Sequence, residues 1–168
     1  MNLAGDLLEQ ALHLARRERR RPKQVSLRRS VSAAYYALFH FLVERACDLL
    51  VSPSRRPRLH AYLGRAFHHE TMAQVCRSFA SSRPAPSWRM ASEGSDGALL
   101  VEIGRAFVDL QQVRHEADYD RGRSFVRQEA IDAAYLAEQA MRHFERVQGT
   151  PEGDAFLAAL LVQKISRA

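Results

Sequence analysis

Apolar positions recur at a 3.6-residue period along most of the chain, and that pattern sets out the elements before any other property is considered. Leu3, Leu7, Leu8, Ala11, Leu14 and Ala15 share one face of a first helix, with Asn2 as its N-cap. Arginines gather at its C-terminal end, where cations oppose the helix dipole favourably, and Pro22 stops the pattern. A longer pattern from about Val25 to Val51 is so rich in Ala, Leu and Phe that helix two is expected to be nearly buried. Ser52 to Pro57 reads as a turn. Leu59 to Phe79 then carries Tyr62, Leu63, Ala66, Phe67, Met72, Val75 and Phe79 at helical spacings, which predicts one third helix.

Residues 81–97 are rich in Ser, Pro and Gly, show no period, and read as a long surface loop anchored by Trp88. Leu99, Leu100, Ile103, Phe107, Leu110 and Val113 define helix four, which Gly122 and Arg123 interrupt. Ser124 is the expected N-cap of helix five, with Ile131, Ala134, Ala137, Met141 and Phe144 as its stripe. Thr150, Pro151 and Glu152 supply the N-cap, first-turn proline and early acid of a last short helix bearing Phe156, Leu157, Leu160 and Leu161. No strand-like alternation competes. The expected fold is all-α, an antiparallel up-and-down bundle of about five to six helices in a single domain, residues 1–168. A domain of this length buries roughly 70% of its unfolded surface and needs no staple.

Charge changes the picture at one place. The net charge is +6, and Arg16, Arg17, Arg19, Arg20, Arg21, Lys23, Arg28 and Arg29 fall within fourteen residues. Such a field attracts polyanions, so these residues are the candidate nucleic-acid contact; the alternative is a solvated basic connector. Cys47 and Cys76 lie among apolar neighbours with no CxxC, as reduced core residues of a cytoplasmic protein do. No signal peptide or membrane-length apolar run is present, so a soluble protein without membrane contact is expected. His60, His68, His69 and Glu70 offer ligand types, but adjacent histidines project to different faces and no HExxH occurs, so no metal is expected. No Gly-rich phosphate loop, GxSxG elbow or Rossmann fingerprint is present, and no cofactor is expected.

Two blocks carry the remaining chemistry. One runs from Ser30 to His40 and sets small residues beside Tyr35 and Tyr36; the other is Arg114-His115-Glu116-Ala117-Asp118-Tyr119-Asp120 at the end of helix four. With Leu59-His60 and Ala137-Glu138 in order around them, these blocks resemble HEPN-domain proteins (higher eukaryotes and prokaryotes nucleotide-binding), over roughly Leu27 to Val147. The resemblance implies a helical bundle that pairs as a homodimer, serves prokaryotic toxin–antitoxin or defence systems, and often works beside a small nucleotidyltransferase partner. The apolar residues of helix two, Tyr35 to Val43, point the same way, because a homodimer would bury what one small bundle leaves uncovered.

Active members of that family are metal-independent ribonucleases with an Arg, four to six residues, then a His. Here the arginine is Arg114, and four intervening residues lead to Tyr119 rather than histidine. An imidazole with a pKa near 6.5 moves protons at neutral pH; a phenol near 10 does not. The chain is closer to the subset bearing Arg-x-x-Ala-Asp-Tyr. Arg114, Asp118 and Tyr119 are therefore the candidate catalytic residues, read in two ways. The first is a binding and interaction protein, with RNA as a partner and without strong intrinsic catalysis, in which Arg114 pairs Asp118 one turn on. The second is a metal-independent ribonuclease toxin in which Arg114 stabilises phosphate charge.

Overall fold

Asn2 accepts a hydrogen bond from the Gly5 N–H at 3.1 Å and starts α1 (Leu3–Arg16), as its place before the first apolar residue requires. In the computed structural model, which describes residues 2–81 and 96–162, six more helices follow: α2 (Gln24–Leu50), α3 (Pro57–Gly64), α4 (His69–Ala80), α5 (Gly97–Tyr119), α6 (Arg127–Val147) and α7 (Pro151–Val162). There is no strand among the described residues, and the fold is an all-α helical bundle. Trp88 and residues 82–95 of the expected loop lie outside the described residues.

The single third helix expected from Leu59 to Phe79 is two. Its apolar spacing continues, but the chain leaves α3 at Gly64 and enters α4 through His68 in an extended conformation (φ −119°, ψ 137°). Side-chain period cannot register a backbone break that preserves the face. Ser124 does not cap α6 either; instead Glu129 reaches back to accept the Val126 N–H at 2.8 Å, so the helix starts two residues later than Ser124 would place it. Thr150 does cap α7, accepting the Gly153 N–H at 3.1 Å, after Gly149 turns the chain at φ +78°.

The chain forms two compact units, Met1–His40 with Ala106–Met141 and Phe41–Arg105 with Arg142–Ala168. A 27-residue helix such as α2 is about 40 Å long, more than one small core covers, and α2, α5 and α6 each contribute a part to both units.

In the first unit α2 and α5 run antiparallel: Ser32 meets Asp118 and, four residues later on α2, Tyr36 meets Arg114, four residues earlier on α5. Ser30 donates to the Ala11 carbonyl at 2.7 Å and so ties α2 to α1 without leaving a buried hydroxyl unpaired. The turn after α5 is held by Asp120, whose carboxylate accepts the Gly122 N–H at 2.8 Å, and by the Gln24 amide, which exchanges hydrogen bonds of 2.7 and 2.8 Å with the Phe125 backbone. Tyr35 is fully buried and packs edge-on against Phe107 at 5.5 Å.

The second unit is cored by aromatic pairs. Phe79 of α4 meets Phe156 of α7 edge-on at 5.0 Å, and Phe41 of α2 meets Phe144 of α6 at 5.8 Å. Cys47 and Cys76 are free and buried here; burial pushes the Cys47 thiol up to about 11 and raises that of Cys76 as well, so neither forms thiolate at neutral pH. Leu38, Phe39, Phe41, Leu42 and Val43 are all buried within one chain. Val25, Leu49 and Leu50, toward the two ends of α2, stay exposed.

One helix contact sets a steric limit. A Cβ on Gly104 of α5 would stand 2.6 Å from the Cys76 carbonyl oxygen on α4. Gly104→Ala is expected to push the two helices apart and cost about 1–3 kcal/mol in urea unfolding, as overpacking does; an unchanged midpoint would show that the contact yields freely.

Candidate functional site

The end of α5 concentrates its ionisable groups because the 3.6-residue period turns Arg114 and Asp118 onto the same face. Arg114 Nε lies 2.7 Å from Asp118 Oδ2, and both side chains are 19% exposed. The Nε–H direction misses the carboxylate, so this contact is an ion pair and not a directed hydrogen bond. The directed bond runs elsewhere: Nη2 donates to the Tyr36 hydroxyl at 2.9 Å. The guanidinium carbon sits 5.5 Å from the Tyr36 ring and 5.6 Å from the Tyr119 ring, within cation–π range of both.

Asp118 is occupied on its other oxygen. Ser32, itself buried, donates to Oδ1 at 2.7 Å. A closed chain results, Ser32 to Asp118 to Arg114 to Tyr36, in which the positive charge is met by a carboxylate and two aromatic faces. Burial works to lower the Arg114 pKa, but Tyr36 and Asp118 outweigh it, and the guanidinium is held even more firmly protonated than usual.

Sequence reasoning placed Arg114, Asp118 and Tyr119 together, and the structure brings them together. It did not assign Ser32 and Tyr36 to them. The signal was present: Ser32 and Tyr36 are four apart on one helix, Arg114 and Asp118 are four apart on the other, and antiparallel packing matches such pairs in reverse order. Tyr119 is 64% exposed, its ring 4.9 Å from that of His115. His40, one turn beyond Tyr36, stacks on it at 6.1 Å and an interplanar angle of 26°. Burial depresses the His40 pKa, so the ring is neutral at pH 7.

The basic segment divides into structural and exposed members. Arg28 donates to the carbonyls of Ala117 (2.7 Å), Asp120 (2.8 Å) and Arg123, and thus caps the C-terminal end of α5, where free carbonyls and the dipole favour a cation. Arg16 donates to the Tyr135 hydroxyl at 3.2 Å. Arg17, Arg19, Arg20, Arg21, Lys23 and Arg29 are exposed. The connector that carries most of them is anchored: Arg127 donates to the Glu18 and Arg19 carbonyls, and Glu18 accepts from Ser26 at 2.9 Å and from the Lys23 N–H at 3.3 Å. Burial acts against the Glu18 charge, yet these bonds with Arg17 and Lys23 keep its pKa below the ordinary value.

Elsewhere His60 lies 2.9 Å from Asp48, a paired structural contact, and among the described residues no three His, Cys, Asp or Glu side chains converge on a metal position. No described helix is long and apolar enough to cross a membrane. Comparison with protein-family models, curated proteins and solved structures finds no match for this chain.

His40 makes the site region sensitive to acid. Its native pKa is depressed below the ordinary 6.5, so the unfolded chain takes up the proton first and stability is lost as pH falls through that window. Urea unfolding at pH 7.5 and 5.5 should show this loss, and His40→Gln should reduce it; equal pH dependence in both proteins would remove His40 as its source.

Proposed function

We propose that this chain is a HEPN-type binding and interaction protein of a prokaryotic toxin–antitoxin or defence-type system, working in the cytoplasm and binding RNA without strong intrinsic catalysis. The observation that carries this reading is the internal neutralisation of Arg114. A phosphate would have to displace Asp118 from the guanidinium at 2.7 Å and leave Ser32 and the carboxylate facing each other in a largely buried setting. Cations open to a polyanion cluster on the α1–α2 connector, where Arg17, Arg19, Arg20 and Arg21 face solvent on an anchored backbone. The sequence resemblance supplies the biological setting, and with it a second copy of the chain and a small nucleotidyltransferase as protein partners.

RNA affinity should fall steeply with salt. Replacing Arg19, Arg20 and Arg21 by Gln should reduce the slope of log K against log salt by about 2. Fluorescence anisotropy with a labelled RNA oligonucleotide measures this; a slope that does not move assigns the connector to solvent and defeats the reading.

One feature favours the ribonuclease alternative: Tyr119 is exposed directly over the Arg114 guanidinium, where a proton-transfer group would stand. Tyr119→His restores an imidazole at that position with Asp118 nearby to orient it. In a silenced ribonuclease the change should raise RNA cleavage by up to roughly a hundredfold, since general acid–base participation contributes on that order. Arg114→Ala in the same background should abolish the gain. A folded, inert Tyr119→His protein leaves the binding reading alone in place.

A further inference from the structure

The second unit holds an apolar cavity of about 300 Å³ that no part of the RNA reading uses. Native interiors leave few voids larger than a water molecule, so a space of this size is not a packing fault of the ordinary kind. The break between α3 and α4 makes it. Leu63, Ala66 and Phe67 at the break form one wall, Leu49 and Leu50 at the end of α2 another, and Ala158 and Leu160 to Val162 of α7 a third. Met72, fully buried, lines it as well. Leu49 is 40%, Leu50 58% and Val162 44% exposed, so the cavity opens to solvent along that rim.

The wall is apolar except at one edge, where His68 and Thr71 contribute the polar side chains. Among the described residues neither side chain has a hydrogen-bond or ionic partner. Both stand where α4 begins, on the side of the break, and no acid or arginine lines the space. We propose that this cavity is a binding site for a small, uncharged, mainly apolar molecule with a single hydrogen-bonding terminus, seated with its apolar body between α2 and α7 and its terminus at Thr71 and His68. The size argues for a small molecule. Apolar cavities of about 150 Å³ admit benzene, and twice that volume suits a bicyclic ring or a medium-length alkyl chain. It also lies at the small end of known ligand pockets, which begin near 300 Å³ and share this composition of apolar walls with few polar groups. A peptide helix would need a longer trough than three helix ends provide, and a charged ligand would find no counter-ion in the wall.

The test uses 2-naphthol and 1-octanol as probes on the full chain, with binding followed by ligand-observed NMR and calorimetry. Saturable binding at one site per chain is expected. Ala158→Phe and, separately, Ala66→Phe place a ring in the space from opposite walls, and each should weaken both probes at least tenfold while circular dichroism and the melting temperature show a folded protein. Two fills guard against one of them disturbing the fold. Thr71→Val should weaken 1-octanol about threefold or more through the lost terminus contact. Absence of saturation at millimolar probe overturns the proposal, as does binding that survives both fills. Concentration-dependent self-association abolished by Leu50→Asp, without probe binding, would identify the rim as an interface between copies and overturn it equally.

Discussion

The burial of α2 is the constraint on which the rest of the structure depends. From Ser26 to Cys47 sixteen of twenty-two residues are buried, including Tyr35, Leu38 and Leu42 at 0% exposure, in a helix that serves both units. A helix apolar on all sides must be surrounded, and the remaining elements provide faces to surround it. Its polar residues then become demanding, because a buried hydroxyl without a partner costs roughly 1–3 kcal/mol. Ser30 and Ser32 meet that demand by bonding Ala11 of α1 and Asp118 of α5, so the exceptions to the apolar pattern are what register the neighbouring helices against α2.

Arginine plays three distinct parts in this chain, and residue type alone does not distinguish them. Arg28 and Arg127 bind backbone carbonyls and hold the connections at one end of the first unit. Arg114 is enclosed by Asp118, Tyr36 and Tyr119. The connector arginines face water. Planar guanidinium groups with several donors suit the first two parts as well as they suit phosphate. Net charge therefore overstates the surface open to a polyanion, and the geometry of each side chain decides which cations remain available.

The break between α3 and α4 shows how a local departure creates chemistry. A continuous helix from Leu59 to Phe79 would have packed its apolar stripe as one ridge; the turn at residues 65–68 displaces Phe67 and exposes His68, and a cavity forms beside α7. α7 itself is apolar around most of its circumference, with Phe156, Leu157 and Leu160 buried, which is why its remaining side supplies an aliphatic wall.

By itself the sequence determined the all-α class, most of the helices and several of their ends, because 3.6-residue periodicity, Asn2, Thr150 and the turn residues act within a few positions along the chain. It also determined that Arg114 and Asp118 would pair, since one helical turn suffices to join them. Only the tertiary structure decided that Ser32 and Tyr36 would close that pair into a network, that Arg28 would cap α5 from about ninety residues away, and that the middle of α2 would be buried. It alone decided, too, that a single apolar stripe would be divided between two helices. These outcomes depend on which faces of distant helices meet and on backbone conformation between them, and neither quantity is written in the spacing of side chains.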